Sequence, residues 1–198
     1  MKTTKKALLL ALCAVLLVVS TVFATLAYLT DSDTVTNTFT YGKVGISLDE
    51  AEVDVDGAVT AGANRLSTEG RVQANTYKLM PGHEYTKDPT IHVDSDSEVC
   101  WVFVKLENGL KDIIDATTIE DQMKADGKWS LIDETKGIWA YKTTVAGGTH
   151  VPVFDSFKLK DDANVSAYGN AKIVITAYAV QADGFGTAQA AWNATFGA

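Results

Sequence analysis

The groups able to do chemistry in this 198-residue chain are three histidines, two cysteines and 25 acidic residues. His83-Glu84-Tyr85-Thr86-Lys87 begins like the zinc-protease pattern H-E-x-x-H. That pattern works because two histidines one helical turn apart face the same ion while the glutamate acts as base. Lys87 stands where the second histidine is needed, and the run follows Pro81-Gly82, a turn, so no zinc site is expected. His92 and His150 read as surface or turn residues rather than ligands. Glu52, Asp54, Asp56 and Gly57 imitate the first half of a calcium-binding loop, but Ala63 occupies the place of the bidentate glutamate. Acids at 50, 52, 54 and 56 alternating with Ala51, Val53 and Val55 read instead as the solvated face of a strand. Asp94, Asp96 and Glu98 with their serines fit turn chemistry, with oxygen ligation of a cation as the alternative. Cys100 sits in an apolar run with no nearby basic cluster and reads as a small core residue. No nucleophile elbow, phosphate loop or dinucleotide fingerprint occurs. The expectation is a protein that is bound or assembled, with no catalytic residues, no metal and no cofactor.

The elements that would carry these residues are mostly strands. Val44, Ile46 and Leu48 alternate on one face of "KVGISL". Residues 57–75, rich in Gly, Ala and Asn, read as a loop or frayed hairpin. Pro81-Gly82 predicts a type II turn, with glycine at the positive-φ position. Tyr85 to Val93 reads as a strand in which Pro89 implies an edge or bulge. "SEVCWVFVKLEN" is apolar on both faces: Cys100, Val102, Val104 and Leu106 on one, Val99, Trp101 and Phe103 on the other. Such a strand is central and covered on both sides. Leu110, Ile113, Ile114, Thr117, Ile119 and Met123 suggest a helix over 109–126 after an Asn108 cap. Extended stretches follow in "KWSLID", "GIWAYKTTV" and "HVPVFDSFKL", then a second two-faced strand, "NAKIVITAYAVQA". Phe185, Ala188, Trp192 and Phe196 fall at helical spacing, a short C-terminal helix docking aromatic rings on a sheet. About eight strands with Gly- and Pro-marked turns indicate an all-β antiparallel β-sandwich with a short inserted helix and a short C-terminal helix.

The N-terminus reads as a secretory leader. Lys2, Lys5 and Lys6 precede the apolar run Ala7–Val19, which leads into small residues. Thr25 and Ala27 suit cleavage between Ala27 and Tyr28; cleavage after Ala24 is a second position, and a retained membrane anchor is the alternative. Leu12 before Cys13 argues against a lipidation site. The division is thus 1–27 signal peptide and 28–198 single domain. Without the three leader lysines, 14 of the 17 basic residues face 25 acidic ones, a net charge of −11. That balance excludes a nucleic-acid footprint. Cys100 alone remains, so no internal disulfide supports the fold.

Just after the leader, "TDSDTVTNTFTY" (30–41) puts a hydroxyl at every even position from Thr30 to Thr40. Its odd face runs from Asp31 and Asp33 to Val35, Asn37, Phe39 and Tyr41, so Val35, Phe39 and Tyr41 are the anchors of any strand pairing. The apolar phase moves to even positions beyond Gly42, which suggests a bulge or a switch between sheets.

Four segments in this order, "ATLAYLTDSD", "NTFTYGKVGISL", "LMPGHEYTKDPTIHVDSDSEVCWVFVKLEN" and "KIVITAYAVQADGF", resemble the TasA/camelysin family; 109–160 carries no such signature. The resemblance implies a jelly-roll sandwich exported by Gram-positive bacteria through a SipW-type signal peptidase. It also implies a secreted subunit of biofilm-matrix fibres whose partners are copies of itself and other extracellular matrix components. In such fibres an N-terminal strand adds to the next subunit, here residues 28–41. Metalloendopeptidase activity, described for camelysin, is not carried over because the zinc motif is missing. A surface adhesin binding carbohydrate or protein is the alternative, with Trp101, Trp129, Trp139 and Trp192 available for sugar stacking, although their apolar neighbours favour core packing.

Overall fold

The computed structural model describes residues 2–29, 42–60, 64–115, 119–125 and 127–197. The chain divides into two units, Met1–Thr40 and Tyr41–Ala198. The described residues of the first form a helix, α1 (Lys2–Leu29). Leu8, Leu9, Leu10, Leu12, Leu16 and Leu17 are all more than half exposed on it.

Among its described residues the second unit has ten strands, two α-helices and a short 3-10 turn at Val165–Tyr168. In chain order the strands and α-helices are β1 (Ile46–Ala51), β2 (Arg71–Val72), β3 (Glu84–Thr86), β4 (Thr90–Val93), β5 (Cys100–Asn108), α2 (Ile119–Ala125), β6 (Trp129–Asp133), β7 (Ile138–Tyr141), β8 (His150–Pro152), β9 (Ser156–Lys158), β10 (Ile173–Gln181) and α3 (Ala188–Phe196). One sheet has the order β2-β1-β4-β8, the second β10-β5-β7-β6, and β3 pairs with β9 in a two-stranded ribbon. Every pairing is antiparallel.

The main core lies between the two larger sheets. Ile91, Val93 and Val151 of the first meet Val102, Val104, Leu106 and Trp139 of the second. The outer face of the second sheet has its own cluster, in which Trp101, Phe103, Ile138 and Val180 pack against Ala191 and Trp192 of α3. Thus β5 is covered on both sides, as its two-faced sequence requires, although Val99 lies just before the strand and is half exposed. Phe185, Ala188 and Phe196 join the same cluster, and Thr187 caps α3 by accepting from the Ala190 N–H at 3.2 Å.

Several boundaries depart from the sequence reading for local reasons. Pro89 divides the expected Tyr85–Val93 strand, so β3 and β4 pair in different sheets. The helix expected over 109–126 is only α2. Asn108 Oδ1 accepts from the Leu110 N–H, and Ile113 and Ile114 donate to the Leu110 carbonyl, a tight turn instead of a continuing helix. Adjacent β-branched residues weaken a helix there. Leu110, Ile113, Ile114, Ile119 and Met123 are nonetheless all buried in the main core. Gly42 precedes β1 without lying in a strand, and the segment before it, on which the expected bulge or switch between sheets depends, lies outside the described residues. The Met80–His83 turn closes through His83 N–H to the Met80 carbonyl, with Gly82 at φ +71°.

Candidate functional site: a groove between two sheets

Residues Ile46–Asp49 of β1 pair with β4 on one side, while β2 reaches only Glu50 and Ala51 on the other. Along its nine residues β10 pairs with β5 and, among the described residues, with no other strand. Its sequence is apolar on both faces, but pattern cannot say how many neighbours a strand has, and here one side has no strand partner among the described residues. Between the two edges runs a groove of about 1290 Å³. Its apolar lining includes Ile46, Leu48, Leu79, Tyr168, Ile173 and Ile175, all only partly buried against the main core. Asp49, Glu50, Asn75, Lys87 and Lys172 supply its polar wall.

The chain enters β1 beside the residue at which β10 ends. A side chain on Gly42 would meet Gln181 Oε1 at 3.5 Å and Glu98 Cγ at 3.2 Å. Glu98 N–H donates to the Lys43 carbonyl and Ala182 N–H to the Val99 carbonyl, which ties both strands to the same turn. Gly42, where the described part of this unit begins, thus lies beside the C-terminal end of β10.

The closed end of β1 is fastened by buried charge. The Arg71 side chain is 0% exposed; its Nε donates to Asp49 Oδ1 at 2.5 Å and its Nη1 to Asp88 Oδ2 at 3.0 Å. Burial opposes the charged guanidinium, but these two carboxylates outweigh it and raise its pKa. Asp88 also accepts from the Ala51 N–H at 2.6 Å and from Arg65 Nε at 3.1 Å. Burial alone would raise its carboxyl, yet these donors hold it below the ordinary value. Asp49 Oδ1 further contacts His92 Nε2 at 2.8 Å, and His92 Nδ1 lies 2.6 Å from His150 Nδ1.

Two readings of the sequence are corrected here. Glu50 is not on a solvated face: it is buried and paired with Lys87. His92 is not a surface residue; it is buried on β4. Neither was visible in a sequence pattern, because the partners return from distant segments. Asp54 belongs to a turn, its Oδ1 accepting from the Asp56 and Ala58 N–H groups. Asp94 and Asp96 pair with Lys43, whose pKa is raised chiefly by Asp96. His83 Nε2 meets the Asp56 carbonyl at 2.8 Å, and Glu84 accepts from Ser156 Oγ. Among the described residues no three His, Cys, Asp or Glu side chains are grouped to hold a metal ion. Cys100 is buried, which pushes its thiol pKa up and away from reactivity. All four tryptophans are buried. Ala27 and Tyr28 fall in α1, whereas Val35, Phe39 and Tyr41 lie outside the described residues.

No protein-family model, curated protein or solved structure matches the chain.

Proposed function

We propose that this protein is a secreted, TasA-like subunit of extracellular fibres with a jelly-roll sandwich, in which residues 28–41 of one copy lie as a strand along the groove of the next. The observation that carries the reading is an apolar groove flanked by β10 and by Ile46–Asp49 of β1, each lacking a strand partner on one side among the described residues. Backbone groups of an edge strand accept an added strand, and alternate side chains of that strand fill the pockets below. The fourteen residues 28–41 span about 46 Å when extended at ~3.3 Å per residue, more than the ~30 Å of β10. Val35, Phe39 and Tyr41 fall on one face of that strand, opposite the hydroxyl face. A head-to-tail contact of this kind does not close on itself and propagates a fibre. The adhesin alternative loses support because each tryptophan is buried and offers no stacking face.

The test uses two variants of the mature chain. One lacks residues 28–41 and keeps the groove; the other keeps the segment and carries Leu48→Asp with Ile175→Asp. Neither should form fibres in electron micrographs, and an equimolar mixture should give a dimer in sedimentation. Equal fibre formation with and without residues 28–41 would sink the proposal.

A further inference from the structure

At the polar wall of the groove three side chains meet in an order that an ordinary ion pair does not need. Lys87 Nζ donates to Glu50 Oε2 at 2.5 Å, and Asn75 Nδ2 donates to Glu50 Oε1 at 3.0 Å. One carboxylate thus holds an amine on one oxygen and a carboxamide nitrogen on the other. Glu50 is 5% and Lys87 8% exposed. The carboxamide is oriented by the backbone: Nδ2 also donates to the Ala51 carbonyl at 2.8 Å, and Oδ1 accepts from the Val53 N–H at 3.0 Å. Tyr77 stands beside them, its hydroxyl donating to the Thr86 carbonyl and its ring edge-on to Phe157, which helps keep water out.

We propose that Lys87 and Asn75 become joined by an intramolecular amide bond, with Glu50 as the proton carrier. A lysine amine is a nucleophile once its proton is removed, and the Nζ-to-Oε2 hydrogen bond is the path by which Glu50 takes it. The freed lone pair on Nζ attacks Cγ of Asn75. Charge develops on Oδ1, where the Val53 N–H already sits as a fixed donor. Glu50 then delivers that proton to Nδ2, with which it is in contact, and takes the second proton from Nζ, which it passes to the released ammonia to give ammonium. The Cγ–Nδ2 bond breaks as the Cγ–Nζ bond is completed. Overall, the lysine ammonium and the asparagine carboxamide become a secondary amide and ammonium ion. Glu50 is regenerated, and no oxidant, metal or other reactant is consumed. The bond would tie the segment after β2 to the connection between β3 and β4, around the Pro81-Gly82 turn. It stands independently of strand addition, since all three residues belong to one copy.

Intact-mass spectrometry of the purified, denatured chain tests it. The expected mass is that of the sequence less one molecule of ammonia. Trypsin should fail at Lys87 and release a branched peptide joining Val72–Lys78 to Leu79–Lys105. Glu50→Gln, Asn75→Ala and Lys87→Arg should each have the full mass of their own sequence. A wild-type chain at full mass overturns the proposal, whether or not the variants fold. So does an ammonia loss that persists in Lys87→Arg, which would mark a cyclised asparagine instead.

Discussion

Arg71 grips Asp88 twice, through Nη1 to the carboxylate Oδ2 and through Nη2 to the backbone carbonyl, both at 3.0 Å. A strand of two residues is thereby held in its sheet by a side chain more than by its ladder. Arg71→Met should destabilise the domain by about 3–5 kcal/mol in urea unfolding, because it leaves Asp49 and Asp88 without their shared cation. Arg71→Lys should recover little, since a point charge cannot reproduce the planar fork across two carboxylates. A loss below about 1 kcal/mol in both would show that the contacts are incidental.

Asp88 carries the acid sensitivity of the same cluster. Burial disfavours its charge, but the Ala51 N–H, Arg71 and Arg65 overcome that and hold it below its ordinary value of 3.8. A carboxyl depressed on folding is protonated first in the unfolded chain. Its stabilising contribution is complete above the unfolded value and is lost as pH falls through the lower folded one. Unfolding free energy should therefore fall as pH drops below about 5, and less steeply in Asp88→Asn. Parallel slopes in the two proteins would place the sensitivity elsewhere.

Trp192 is the keystone of α3, with ring centroids 5.1 Å from Phe103, 5.4 Å from Tyr178 and 4.8 Å from Phe196. Trp192→Ala should cost about 3–5 kcal/mol by denaturant titration. Thr187→Ala, which removes only the cap, should cost about 1 kcal/mol. Equal costs would mean that the helix docks by something other than its aromatic face.

Gly57 and Gly127 separate backbone strain from crowding. Both have positive φ, +83° and +68°, but a Cβ at Gly57 would lie 2.9 Å from Tyr85 Cα while one at Gly127 meets nothing within 4 Å. Gly127→Ala should lose about 1 kcal/mol for its dihedral alone, and Gly57→Ala clearly more, read as the difference between their melting temperatures. Similar values would remove Tyr85 from the account.

The sequence was legible wherever one element settles its own surroundings. The doubled apolar faces of β5 demanded cover on both sides, and Phe185, Trp192 and Phe196 gave the docking face of α3 before any fold was known. What resisted reading depends on who comes back to whom. Alternating acids made Glu50 look solvated, because nothing at positions 50–56 records that Lys87 and Asn75 return to it. His92 was misplaced for the same reason, its partners being Asp49 and His150. The groove is the clearest case. The side chains of β10 are those of an interior strand, and only topology makes it an edge among the described residues.

The nine-residue pairing of β5 with β10 also sets the order of events as the chain folds. Cys100 meets Gln181, so this strand, covered on both faces, waits for a partner synthesised only after α2 and β6 to β9. Entropy is a minor obstacle, since each doubling of a loop costs only about 0.6 kcal/mol. Time is the larger one: sheets closed by distant strands form in roughly milliseconds to seconds, far slower than local helices. Until Ile173–Gln181 has arrived, β5 has β7 on one side and a bare edge on the other. A chain truncated before Ile173 would keep that adhesive edge permanently, and the last strand thus serves as the domain's safeguard against premature association.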